Sequence, residues 1–97
     1  MSDEVARLRQ DYTPVFLAYL THRDEAGLRA AYELGRRAMC SAVGLLKLVR
    51  IHDDVAMEVM GTARNVEEAR DVARAASAFL AETLAAFEMT QRAFLER

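Results

Sequence analysis

The sequence predicts an all-α fold, a four-helix bundle with a long last helix. Three observations carry this. Apolar residues recur at three- and four-residue intervals through most of the chain, the period of a helix face. Nothing alternates with period two over a useful length, and strand-forming residues are scattered. Glycine and proline total only five in 97 residues, and the four glycines are isolated.

The first helix is read from about Asp3 to Leu20, with Val5, Leu8, Tyr12, Val15, Phe16, Tyr19 and Leu20 on its buried face. Pro14 lies inside it, so the helix either kinks there or restarts with Thr13 as N-cap and Pro14 at the first helical position. THRDEAG is a short turn in which Asp24 is the expected N-cap of the second helix and Glu25 complements its dipole. That helix is expected to reach about Ala42, with Leu28, Ala31, Tyr32, Gly35, Met39 and Val43 facing inward. Ala31 and Gly35, small residues four apart, allow another helix to approach closely. Glu33 and Arg37 have the favourable i,i+4 spacing for an ion pair, and Cys40 is expected to be packed. Gly44 is expected to end the helix in the usual C-terminal glycine position.

The third helix opens on LLKLVRIHDDVA, Leu45 to Ala56, and stops near Gly61. Its apolar stripe is Leu45, Leu48, Val49, His52, Val55, Ala56 and Val59. Asn65 is the expected N-cap of the fourth helix, with Glu68 three residues on as capping-box partner. Val72, Ala76, Phe79, Leu80, Thr83, Phe87, Thr90 and Phe94 mark its stripe. The steps 80, 83, 87, 90 and 94 are heptad-like but too few for a coiled coil. The chain is read as one domain, 1–97, with 88–97 as the start of a helical linker. Ala75, Ala78, Ala81, Ala85 and Ala86 occupy several faces of this helix; helix propensity accounts for them ahead of a flat docking surface.

Composition narrows the function classes. A chain of this length buries roughly 60–65% of its unfolded surface, so dimerisation would supplement a small core. Thirteen basic residues are interleaved with fifteen acidic ones, which argues against a nucleic-acid footprint. No apolar run approaches the roughly 18 residues of a membrane span, and the start of the chain lacks the pattern of a secretory signal. A single cysteine, Cys40, fits a reducing cytoplasm. No glycine-rich phosphate loop and no nucleophile–base pair is legible, so neither a cofactor nor an enzymatic activity is expected. Arg36 and Arg37 are read as solvated or ion-paired rather than as a phosphate site.

His52, followed by Asp53 and Asp54, admits three readings. As a metal ligand of HD-phosphohydrolase type it lacks companions: the only other histidine is His22, in a turn, so no metal site is expected. As a phosphoacceptor it resembles the H-box of one class of sensor histidine kinases, which would make the chain a dimerisation and phosphotransfer hairpin. Two helices precede it here, however, and the acceptor must be exposed. The favoured reading is a buried histidine satisfied by a backbone carbonyl or a neighbouring acid.

Three blocks in order resemble a known family: Tyr12 with PVFLAYL to Leu20, followed by the Asp24–Glu25 turn and Leu28; AAYELGRRA, Ala30 to Ala38; and LLKLVRIHDDV with Ile51 and His52 in place. AFLAETLAAFEM, Ala78 to Met89, fits more loosely. Together they resemble the N-terminal domain of RsbU-type serine phosphatases, a KaiA/RbsU-like regulatory domain. The resemblance implies a dimeric helical domain without catalysis of its own. It would receive a serine-kinase-like (RsbT-like) switch protein and thereby activate a phosphatase domain in sigma-factor partner switching and stress response. By the same resemblance, Glu25, Arg29, Ala81 and Ala85 would meet the partner. Glu25 keeps the family's acidic choice; Arg29, Ala81 and Ala85 depart from the larger aromatic or aliphatic residues expected there.

Overall fold

The computed structural model describes residues 3–96; Met1, Ser2 and Arg97, the last residue of the expected linker start, lie outside the described residues. Four helices follow one another: α1 (Asp3–His22), α2 (Glu25–Cys40), α3 (Leu45–Met60) and α4 (Val66–Leu95). No strand occurs among the described residues.

Periodicity locates the core. Leu8, Tyr12, Phe16 and Tyr19 of α1 are buried, with Val5, Val15 and Leu20 packed against them. Pro14 neither breaks nor restarts α1, which stays helical to His22. Phe79 of α4 is the hub, with ring centroids 5.2 Å from Phe16 and 5.3 Å from Tyr12 in edge-on geometry. Leu34, Ala38, Ile51, Ala75 and Ala86 are also buried, beyond the expected stripes. Leu45 departs the other way. It is 49% exposed because it opens α3, one turn before the helix meets the bundle at Leu48.

α2 and α4 form the most extensive helix pair. Gly35 makes it possible: a Cβ on Gly35 would sit 2.0 Å from the Thr83 carbonyl oxygen and 2.8 Å from its carbon. Only a residue without a side chain lets the two backbones come this close.

The helix ends show why two expectations fail. α2 stops at Cys40, and Ala42, not Gly44, takes the left-handed conformation with φ 59°. The Ala42 N–H donates to the Met39 carbonyl and the Val43 N–H to the Ala38 carbonyl, a Schellman closure that buries Val43. Burial of Val43 therefore sets the turn two residues before the glycine. Gly44 has ordinary backbone angles and serves as N-cap of α3, without a side chain to cap it.

The other caps behave as their residue types dictate. The Asp24 carboxylate accepts from the Gly27 N–H at 2.9 Å, and Asn65 Oδ1 accepts from the Glu68 N–H at 2.8 Å. The capping box is displaced by one residue: Glu68 accepts from the backbone N–H of Arg64, not of Asn65. The Arg64 backbone N–H and guanidinium together hold the Glu68 carboxyl below its usual value.

Salt bridges cross between elements more than the spacing suggested. Arg37 ignores Glu33 and reaches Asp11 of α1 at 2.6 Å, while Arg36 takes Glu33 at 3.5 Å. Arg9 pairs with Asp54 at 2.8 Å, joining α1 to α3. Arg23, with φ 49° just past α1, donates to the Leu20 carbonyl and pairs with Asp71 at the start of α4.

Candidate regulatory surface

The most conspicuous side chain of the sequence, His52, is inside. It is 6% exposed, on the face of α3 that meets α1 and α4. The Tyr12 hydroxyl lies 2.7 Å from its Nδ1. The imidazole stacks 17° from parallel with the Phe79 ring and meets Phe16 edge-on. Burial holds the imidazole below its ordinary pKa, with the Asp53 charge acting the other way. Burial also pushes the Tyr12 phenol up, opposed by the Thr83 hydroxyl. Both groups are therefore neutral at pH 7 and share one proton between oxygen and nitrogen. The hydrogen-bond partner is a tyrosine, where a carbonyl or a neighbouring acid was expected.

This geometry decides among the readings of His52. A phosphoacceptor must present a ring nitrogen to its donor, and this ring is enclosed with Nδ1 occupied. Neither aspartate serves it: Asp53 is exposed and Asp54 is committed to Arg9. Among the described residues, no three His, Cys, Asp or Glu side chains converge as metal ligands.

The surface implied by the resemblance lies elsewhere. Glu25 and Arg29 stand one turn apart at the start of α2, and Ala81 and Ala85 one turn apart on α4; all four are exposed. Glu25, Leu28, Arg29 and Tyr32 of α2 meet Glu82 of α4 around a notch of about 220 Å³. Glu82, next to Ala81, was not singled out from the sequence, although Ala81, Glu82, Ala85 and Met89 follow one helical stripe. A second, larger hollow of about 450 Å³ continues along the α2–α4 seam, lined by Tyr32, Glu33, Arg36, Cys40, Met89 and Phe94 among others. Tyr32 is common to both, and its hydroxyl donates to Met89 Sδ at 3.7 Å. Cys40 is exposed there, not packed, because α2 ends at it and its side chain faces the seam's open end.

No helix among the described residues is long and apolar enough to cross a membrane. Neither the curated proteins nor the solved structures return a match. The sequence profile of the family described as phosphoserine phosphatase RsbU, N-terminal domain, matches residues 10–90. That span takes in the aromatic part of α1, the Asp24 turn, all of α2 and α3 and the buried part of α4. The match rests on the same helices whose caps, core and close α2–α4 approach are described above, and the chain belongs to this family of regulatory, non-catalytic N-terminal domains.

Proposed function

We propose that this chain is a cytoplasmic regulatory module. It homodimerises, receives a serine-kinase-like (RsbT-like) switch protein on a surface of α2 and α4, and thereby controls a phosphatase domain in sigma-factor partner switching. Family membership over residues 10–90 supports the regulatory role. The observation that carries the location is that Glu25, Arg29, Ala81 and Ala85 are exposed together on the two most extensively packed helices. On this reading the last turns of α4, up to Leu95, relay the binding event to the phosphatase domain.

Charge reversal at Glu25 tests the reading. Glu25→Lys is expected to weaken binding of a purified kinase-like switch protein from the same genome by at least about tenfold, since a like charge opposes a complementary one across an interface. The helical circular dichroism should be retained and the melting temperature fall only slightly, because Glu25 is exposed and the change costs roughly 0.3–1 kcal/mol of helix-dipole stabilisation at the first turn of α2. Failure of the wild-type domain to bind any such protein would sink the proposal.

A further inference from the structure

α3 carries its charges in the order that a lone helix disfavours. α2 and α4 open on acids and end on an arginine, Glu25 and Arg37 in one, Glu67 and Arg92 in the other. That order complements the helix macrodipole. α3 has no acid in its first turn and no base in its last. Lys47 and Arg50 lie in its first half instead, and Asp53, Asp54 and Glu58 in its second. Its outer face has a matching peculiarity. Leu48, Ile51, His52, Val55 and Ala56 turn to the core. On the opposite side Leu46, Arg50, Asp53 and Met57 are exposed, within about 60° of arc at the α-helical period. Leu46 is 72% exposed and Met57 61%. Their steps of four, three and four residues form the seam by which one helix packs along another. Among the described residues neither Arg50 nor Asp53 makes an ion pair within the chain, so both are available to a neighbour.

Resting on the homodimerisation in the reading above, we infer that the outer face of α3 is where two copies of this chain meet, their α3 helices antiparallel about a twofold axis level with Ile51 and His52. The stripe is complementary to itself in that arrangement. Positions equally far from the axis face one another, so Leu46 of each copy packs on Met57 of the other, and Arg50 of each copy pairs with Asp53 of the other. Two ion pairs thus lie at the centre, flanked by two apolar contacts. Each basic half of α3 runs along the acidic half of its copy, and the two macrodipoles oppose. A parallel pair would set Arg50 against Arg50 and Asp53 against Asp53. The charge order that disfavours a single α3 is compensated when its neighbour carries the same order reversed, and a second copy supplies that by symmetry. The α2–α4 seam stays open to the switch protein.

The test measures the mass of the full chain by sedimentation equilibrium at about 10–100 μM, since dimer population depends on concentration. Arg50→Asp leaves only carboxylates facing one another at the centre, and Asp53→Arg only guanidiniums. Each variant alone is expected to raise the dimer dissociation constant about thirtyfold or more, with unchanged helical circular dichroism. An equimolar mixture of the two variants is expected to recover the wild-type dimer mass, because each copy then meets the opposite charge at both positions. Loss of the dimer in each variant without recovery in the mixture would overturn the antiparallel pairing. A wild-type dimer whose mass neither substitution changes would overturn the inference and leave homodimerisation standing on another face. A wild-type chain that stays monomeric over this range would overturn both the inference and the homodimer of the regulatory reading, whose switch-protein binding is tested separately through Glu25.

Discussion

The Tyr12 hydroxyl and His52 Nδ1, forty residues apart in the chain, meet at 2.7 Å and join α1 to α3 through the interior. Around them, Phe16 and Phe79 supply ring faces and edges, so the bond is made where water is scarce. A hydrogen bond in that setting contributes modestly while it is made and is expensive to break on one side only.

Removing the phenol oxygen isolates Nδ1. Tyr12→Phe is therefore expected to destabilise the fold by about 1–3 kcal/mol with no loss of apolar area. The urea midpoint should fall, and the cooperative slope should not change. A variant as stable as wild type would show that the imidazole finds water or another partner.

The same pair makes stability depend on pH, and the sign is definite. The folded imidazole is held below its ordinary value of 6.5. Above pH 6.5 it is neutral in both folded and unfolded chains, and full stability is present. As the pH falls below that value the unfolded chain takes the proton first, so stability drops by at most about 1.4 kcal/mol per pH unit until the folded imidazole also protonates. Urea denaturation from pH 7.5 to 5 should show this decline, and His52→Gln should remove a large part of it. An equal decline in that variant would assign the effect to the carboxylates instead.

Gly35 controls the approach of α2 to α4. Glycine to alanine inside a helix ordinarily stabilises by about 1 kcal/mol. Here the added carbon meets backbone at 2.0 Å, and backbone cannot rotate away. Gly35→Ala is expected to destabilise by about 3 kcal/mol, read from thermal or denaturant midpoints. A neutral or stabilising result would mean that the helices separate without penalty.

The α2–α3 turn offers the opposite sign. Ala42 sits at φ 59°, where an L side chain is strained by roughly 1–2 kcal/mol. Ala42→Gly is expected to raise stability by about 0.5–1 kcal/mol after allowance for the freer unfolded chain. Gly44→Asp, at an N-cap with ordinary angles and open space around it, should add a few tenths of a kcal/mol by capping α3. Thermal melts of the two single variants would check both, and a loss of stability in Ala42→Gly would contradict the assigned turn.

The sequence by itself determined the four helices, the Asp24 and Asn65 caps and most of the buried stripe of α1. These depend on residues within about four positions of one another, where spacing and side-chain type already specify the hydrogen bonds and the apolar face. It also carried the collinear blocks of the family, because their order lies in the chain. Tertiary packing decided the rest. It set Tyr12 against His52, brought Gly35 onto the Thr83 backbone, drew Arg37 from Glu33 to Asp11, and placed the turn at Ala42 so that Val43 is buried. It also set Glu82 beside Glu25, in a notch that neither helix contains alone. Each of these pairs residues whose distance is fixed by how whole helices dock, and docking is governed by the summed shape of their faces rather than by any local pattern.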